Sequence, residues 1–338
     1  MSFVLHLIQT FSLILCFTFI YKREILMKAV ILKDFGGVEN LITQDIPVPL
    51  IADDEVLVEV KALSVNPVDI KTRKGNALAM KLKDDRPVIL GWDISGVVKE
   101  TGKTVTSFLE GDEVFGMIKF PGHGKAYAEY AAVPESHLAL KPANVSHEEA
   151  AAATLAALTA WQVLTHAGIV EGHRVLIHAA AGGVGHYAVQ MSKYLGATVF
   201  ATASESNIEF LRDLGAEQVV DYNKDKFEDV FSNIDFVLDA VGNDYIERSL
   251  ATMKPGSLII SIPSGAAESV AEKAGAKSLR GERFMVKSNG DDMKEIASLL
   301  ETGNVVSYIS KVFPFDNIRE AHLQIETGKT RGKVIVTF

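Results

Sequence analysis

The stretch His173-Arg-Val-Leu-Ile-His-Ala-Ala-Ala-Gly-Gly-Val-Gly185 decides the fold. Its first six residues form a short apolar run containing Val and Ile, the composition of a strand buried on both faces. The Ala and Gly that follow close the strand in a tight turn and open a helix, predicted over 183–195. On a G-x-G-x-x-G frame the three positions are Ala180, Gly182 and Gly185. Gly182 lets backbone approach a pyrophosphate and Gly185 lets the helix pack close on the strand. The helix start, with Gly183 and Val184, offers unpaired N–H groups and a positive dipole end to phosphate. Small residues also occur at ordinary helix–sheet contacts, so the motif counts only in the right context.

That context is present. Strands are predicted at 198–203, 218–221, 235–239 and 257–262, with a helix at 206–214. Continuous apolar strands alternating with helices predict an α/β unit with a parallel, doubly wound sheet. Upstream, 27–150 reads as short strands (56–60, 96–98, 113–115) separated by Gly-Asp, Asn-Pro and Pro-Gly turns, a small irregular β-barrel. An Ala-rich helix is predicted over 148–160, and beyond about 288 one helix (293–300) and a strand at 334–338.

Composition limits the function. The 338 residues hold 34 Lys and Arg against 43 Asp and Glu, a net charge of −9, which disfavours nucleic acid as a partner. The single cysteine, Cys16, excludes an intrachain disulfide and any multi-cysteine metal site. A cysteine-poor, mildly acidic body suits a reducing compartment and is expected in the cytoplasm.

Residues 1–26 differ from the rest. From Ser2 to Tyr21 there is no charged residue, and twenty helical residues would rise about 30 Å. Two readings stay open: a membrane anchor with a cytoplasmic body, or upstream sequence before a true start at Met27, which opens into a strand-like run. Association with a membrane is expected only if the segment is genuine.

The tip of the second strand, Ala203-Ser-Glu-Ser-Asn207, selects between NAD and NADP. A carboxylate at the tip would bind the ribose 2′-OH and repel a 2′-phosphate. The tip residue is instead Ser204, with Asn207 close by, Glu205 one place later, and Lys224 and Arg212 as candidate basic neighbours. NADPH is the expected cofactor.

The order and spacing of further stretches carry a resemblance. They are Asn66-Pro-Val-Asp-Ile-Lys71, Pro87-Val-Ile-Leu-Gly-Trp-Asp-Ile-Ser-Gly-Val97, Gly111-Asp-Glu-Val114, Ala126-Tyr-Ala-Glu-Tyr130, Leu158-Thr-Ala-Trp161 and Gly332-Lys-Val-Ile-Val336. Together with the glycine loop they make 27–338 resemble the medium-chain dehydrogenase/reductase superfamily, in its zinc-free quinone oxidoreductase and enone reductase branch. The resemblance implies a GroES-like β-barrel domain, 27–150 completed by 288–338, split around a Rossmann domain, 151–287, with the active site between them. It also implies a homodimer.

Zinc-dependent members of that superfamily place Cys at the Val65-Asn66 turn and a His-Glu pair where Trp92-Asp93 stands here, so no zinc is expected. His123 and His137 are expected to be loop and surface residues. Without a Lewis acid, a saturated ketone is a poor hydride acceptor. A quinone or an α,β-unsaturated carbonyl spreads the incoming charge, and hydrogen-bond donors suffice to hold the resulting enolate.

By the same resemblance Asn66 lies beside the nicotinamide, and Lys71 touches cofactor or substrate; these are the candidate catalytic residues. Tyr222 would flank the 2′-phosphate, Val241 and Gly242 the ribose, and Ile262, Pro263 and Ser264 the nicotinamide. Thr159 and Arg331 complete the expected cofactor set. The expected activity is zinc-independent, NADPH-dependent reduction of quinones or conjugated enones and enals. A catalytically weak NADPH-binding sensor or partner-binding protein of the same fold is the alternative.

Overall fold

The computed structural model describes residues 25–338 apart from 264 and 266–268; the readings for residues 1–24 and for Ser264 lie outside the described residues. In chain order the strands are β1 (Leu26–Leu32), β2 (Leu41–Pro47), β3 (Glu55–Val65), β4 (Asp93–Thr101), β5 (Glu113–Met117), β6 (Tyr130–Pro134), β7 (Ala139–Leu140) and β8 (Arg174–Ile177). They continue with β9 (Thr198–Ala203), β10 (Gln218–Asp221), β11 (Ile234–Asp239), β12 (Met253–Ser261), β13 (Arg280–Arg283), β14 (Ile309–Pro314) and β15 (Lys333–Thr337). The helices that shape the site are α1 (Pro67–Arg73), α2 (His147–Ala152), α3 (Leu155–His166), α4 (Gly183–Tyr194), α5 (Ile208–Leu214), α6 (Gly290–Glu301) and α7 (Ile318–Glu326).

Six strands form an all-parallel sheet in the order β10-β9-β8-β11-β12-β13. Successive residues of its central strands serve opposite faces, as the two-residue period of a strand requires. Val175, Ile177 and Ala201 enter the large core, while Leu176, Phe200, Val237 and Ile259 enter a second cluster on the other face. This explains why these strands carry no polar alternation. The order reverses between β8 and β9 on one side and β11 on the other, and the glycine loop leaves β8 at that switch point, where doubly wound sheets bind ligands.

Seven of the remaining strands form a sheet around β3. Its path is β14-β15-β3-β4-β5-β7, with β6 also on β3. β6 pairs with Glu55–Glu59 and β15 with Ala62–Val65, so one long strand is shared end to end by two partners. β1 and β2 form a separate antiparallel pair, and β1 makes isolated bridges, Ala29–Ala128 and Ile31–Ile89, to the segments that precede β6 and β4. The fold is therefore the expected one, a GroES-like barrel with a Rossmann sheet.

Two local readings are corrected. The Ala-rich segment is two helices, α2 and α3, because Thr154 adopts φ −96°, ψ −104° and Asp93 Oδ1 accepts the first free N–H of α3, that of Leu155, at 3.0 Å. The carboxylate caps a helix from 62 residues away, which no local propensity records. The last fifty residues hold two helices rather than one. The second, α7, buries Ile318, Ala321 and His322 at helical spacing; the histidine interrupts the apolar stripe.

Candidate active site

The glycine loop packs as its sequence demands. A methyl group on Gly185 would lie 2.5 Å from the carbonyl oxygen of Ala179 and 2.6 Å from both Cα and the carbonyl oxygen of Ala180. Only glycine permits this approach of α4 to the end of β8. Gly182 precedes the helix with extended backbone, and its methyl would meet only Ala179 O, at 3.2 Å. The cradle fits a pyrophosphate, because the first N–H groups of a helix start have no intrahelical partner. His186, the next residue, is buried; its Nδ1 bonds the Gly182 carbonyl (2.9 Å), Tyr308 N–H donates to its Nε2 (3.3 Å), and burial pushes its pKa down to about 4.

At the tip of β9 the structure brings several expected residues together. Asn207 Nδ2 donates to Ser204 Oγ (2.9 Å), and Arg331 Nε donates to Asn207 Oδ1 (2.6 Å) while its Nη2 donates to the Ser206 carbonyl (2.6 Å). The Arg331 guanidinium lies over the rings of Phe210 (5.0 Å) and Tyr308 (5.7 Å), neither of which was singled out in the sequence. Glu205 is paired with Lys224 at 2.5 Å, which neutralises its carboxylate. Arg212 is engaged with Glu209 instead, at 2.6 Å. Tyr222 follows β10, half exposed, and its N–H donates to the Ala203 carbonyl (3.2 Å).

Beyond β11, Asp239 organises the next turn. Its carboxylate accepts from Val241 N–H (2.9 Å), Gly242 N–H (2.8 Å) and Ser261 Oγ (2.5 Å). Ile262 N–H donates to the Asp239 carbonyl, so Ile262 and Pro263 leave β12 beside Val241 and Gly242. Thr159 lies buried in α3, with its hydroxyl given to the Leu155 carbonyl at 2.7 Å.

On the side of the seven-stranded sheet, Asn66 is the N-cap of α1. Its backbone N–H donates to Asp69 Oδ2 (2.6 Å), its Nδ2 donates to Asp93 Oδ2 (2.7 Å), and its Oδ1 accepts from Lys333 Nζ (2.5 Å). At 1 % exposure this amide is engaged with Asp93 and Lys333. Lys71 follows five residues later on α1, half-buried. Burial raises the Asp69 carboxyl to about 8 and also raises Asp93, while it lowers Lys333 despite the neighbouring carboxylates.

Asp93 and Lys333 were not among the expected site residues. A signal existed: a Lys within an otherwise apolar buried strand must be paired. Its partners, however, come from residues 267 and 240 positions away. His123 and His137 both pin loops. His123 bonds Asp85 and the Ile89 backbone and is buried rather than surface-exposed, and His137 Nδ1 accepts from Lys119 N–H.

The donor set does not fit zinc. Among the described residues no group of three His, Cys, Asp or Glu is arranged around a common point. At Asn66 and Asp93 the available atoms are an amide and a carboxylate already satisfied by each other and by a fixed ammonium, which would repel a second cation.

Comparison with known proteins bears on these features. Residues 52–143 match the family described as "Alcohol dehydrogenase GroES-like domain", and residues 214–336 the one described as "Zinc-binding dehydrogenase". The second description names a metal for which the residues here are unsuited. The chain is 38 % identical over 320 residues to a 2-methylene-furan-3-one reductase of Solanum lycopersicum, covering 92 % of this chain and 79 % of that protein. It is 36 % identical, with the same coverage, to a chloroplastic NADPH-dependent alkenal/one oxidoreductase of Arabidopsis thaliana. Among solved structures, the quinone oxidoreductase from Coxiella burnetii superposes with a TM-score of 0.89 at 37 % identity, covering 93 % of this chain and all of that one.

Proposed function

Because the chain belongs to the medium-chain dehydrogenase/reductase superfamily, with quinone oxidoreductases and enone and alkenal reductases as relatives, we propose that it reduces quinones or α,β-unsaturated carbonyls with NADPH and without zinc. The observation that carries the choice of NADPH is the tip of β9. There Ser204, Asn207 and Arg331 converge, Glu205 is held by Lys224, and Asp221 at the end of the neighbouring β10 accepts from Asn223. This favours a 2′-phosphate over a bare 2′-hydroxyl.

When bound, NADPH supplies a hydride, which a conjugated acceptor takes at its β-carbon or on its ring. Gly182, Gly183, Val184 and Gly185 hold the pyrophosphate, and Tyr222 flanks the 2′-phosphate. Val241 and Gly242 line the ribose, and Thr159, Ile262 and Pro263 border the nicotinamide. Lys71 stabilises the enolate electrostatically, and Asn66 keeps α1, and Lys71 with it, in place. Water supplies the proton to the α-carbon. The substrate cleft lies between a barrel domain of 27–150 plus 288–338 and a nucleotide domain of 151–287. A homodimeric, cytoplasmic protein belongs to this proposal; among the described residues no helix is long and apolar enough to cross a membrane.

The test is cofactor oxidation by the purified protein, with NADPH and NADH side by side. The acceptors are a benzoquinone, a short enone, an enal and a saturated ketone, each with and without chelator. Chelator-insensitive NADPH oxidation by a conjugated acceptor, with the ketone inert, is the expected result. Chelator-sensitive ketone reduction would refute the proposal. Binding of NADPH with no turnover would instead favour a sensor.

A further inference from the structure

We propose that Lys333 is a positioning residue that locks the Asn66 turn to the glycine loop, so that the substrate and cofactor sides of the cleft are held as one unit; this rests on the functional reading above. The residue before it, Gly332, donates its N–H to the carbonyl of Ala181 in the glycine loop at 2.8 Å. The stem of Lys333 then runs past the start of α4, where its Cδ lies 3.4 Å from the point a methyl on Gly183 would occupy. The head reaches Asn66 Oδ1 at 2.5 Å and stands 3.8 Å from Asp93 Oδ2. Asp93 in turn accepts from Asn66 Nδ2 and from the N–H that starts α3. A single side chain, 3 % exposed, thus touches the cofactor loop with its stem and the α1 turn with its head.

The choice of lysine is informative. A buried ion pair is commonly no more stabilising than apolar residues of the same volume, so methionine would fill this space at less cost. What methionine lacks is a head that only donates. An ammonium facing Asn66 holds the amide oxygen toward itself while Asp93 holds the amide nitrogen, and neutral replacements of both would let the amide flip. Asn66 is the N-cap of α1, and its backbone N–H is held by Asp69, so anchoring its amide anchors the residue from which the helix that carries Lys71 starts. Lys333 touches no reacting atom in this scheme; it acts through Asn66.

The experiment compares the wild type with the charge-neutral double variants Lys333→Met/Asp93→Asn and Lys333→Gln/Asp93→Asn, which avoid the unpaired buried charge left by either single change. Four quantities are read: the thermal midpoint, the NADPH dissociation constant by cofactor fluorescence, single-turnover NADPH oxidation by an enone, and hydrogen exchange of residues 67–73 with and without NADPH. The Met double variant is expected to bind NADPH within about threefold of wild type, since its phosphate-binding residues are untouched. Its single-turnover rate is expected to fall about 100-fold, the scale of an ångström of misplacement. NADPH is expected to protect residues 67–73 in the wild type and not in this variant. The Gln double variant keeps a donor for Asn66 and is expected to be several-fold faster than the Met variant, so the comparison stays readable if the Met variant folds poorly. A Met variant that turns over at the wild-type rate with NADPH-dependent protection intact, or Gln and Met variants equally slow, would overturn the proposal. If the wild type reduces none of the acceptors, the functional reading fails, and exchange alone decides on Lys333: loss of protection in the variant supports the lock, and retention overturns it.

Discussion

Substituting alanine at two glycines three residues apart separates packing from ligand approach. In Gly185→Ala the new methyl meets three backbone atoms at 2.5–2.6 Å. That is about 1 Å short of an ordinary carbon contact, and none of the three can rotate away, so α4 must move off β8. Overpacking of this kind costs about 1–3 kcal/mol. At a few degrees per kcal/mol for a domain of this size, the thermal midpoint should fall by roughly 3–10 °C before any cofactor is added. In Gly182→Ala the nearest atom is Ala179 O at 3.2 Å and the backbone is already extended, so the fold should barely register the change. The methyl would instead cover N–H groups meant for pyrophosphate, and NADPH affinity should drop by at least about tenfold, or ~1.4 kcal/mol. Thermal melts of the unliganded variants and NADPH fluorescence titrations provide both numbers. The reasoning fails if Gly185→Ala melts with the wild type, or if Gly182→Ala loses stability while keeping its NADPH affinity.

Three further outcomes follow from the geometry. Ser204→Asp places a carboxylate beside Glu205, which already occupies Lys224, so kcat/KM with NADPH should fall about 10–100-fold while NADH is affected less, measured by cofactor oxidation under a fixed acceptor. Lys71→Met should lower kcat/KM for the conjugated acceptor about 10–100-fold with the NADPH dissociation constant little changed, because the developing enolate loses a counter-charge. For pH, burial depresses His322 to about 3, His178 to about 3 and His186 to about 4. Below about 6.5 the unfolded chain takes up these protons and the native protein does not, so each histidine removes up to about 1.4 kcal/mol of stability per pH unit on acidification. Asp69, protonated in the native state up to about 8, opposes one of them. His322→Gln, which keeps a partner for the Tyr127 hydroxyl, should flatten the fall in denaturant midpoint between pH 6 and 4, and an unchanged slope would contradict the assignment.

The parts of the fold that could be read along the chain were those with local causes. The glycine loop announces itself because its chemistry is confined to a dozen residues, and β9 and β10 fall where their apolar runs lie. Ser204, Asn207 and Arg331, each expected to contact the cofactor, are hydrogen-bonded in a row. What escaped reading has distant causes. The break between α2 and α3 is made by Asp93, the inward turn of the Asn66 amide by Lys333, and α7 was hidden because a buried histidine stands where its stripe calls for an apolar residue. Asn66 was expected beside the nicotinamide by resemblance; that its amide is bonded to Asp93 and Lys333 depends on residues far away in the chain.

The pairing of β15 with the end of β3 has a consequence for how the protein is made. Residues 62–65 leave the ribosome long before their partners at 334–337, and Asn66 waits 267 residues for Lys333. At typical elongation rates that delay is roughly 15–50 s. Throughout it, the second half of β3 presents an unpaired edge, and Asp93 is without its counter-ion. The nucleotide-binding sheet, by contrast, is complete once β13 has emerged. Nascent chains should therefore acquire a folded nucleotide domain first, with the barrel as the segment that chaperones must shield until the final strand closes it.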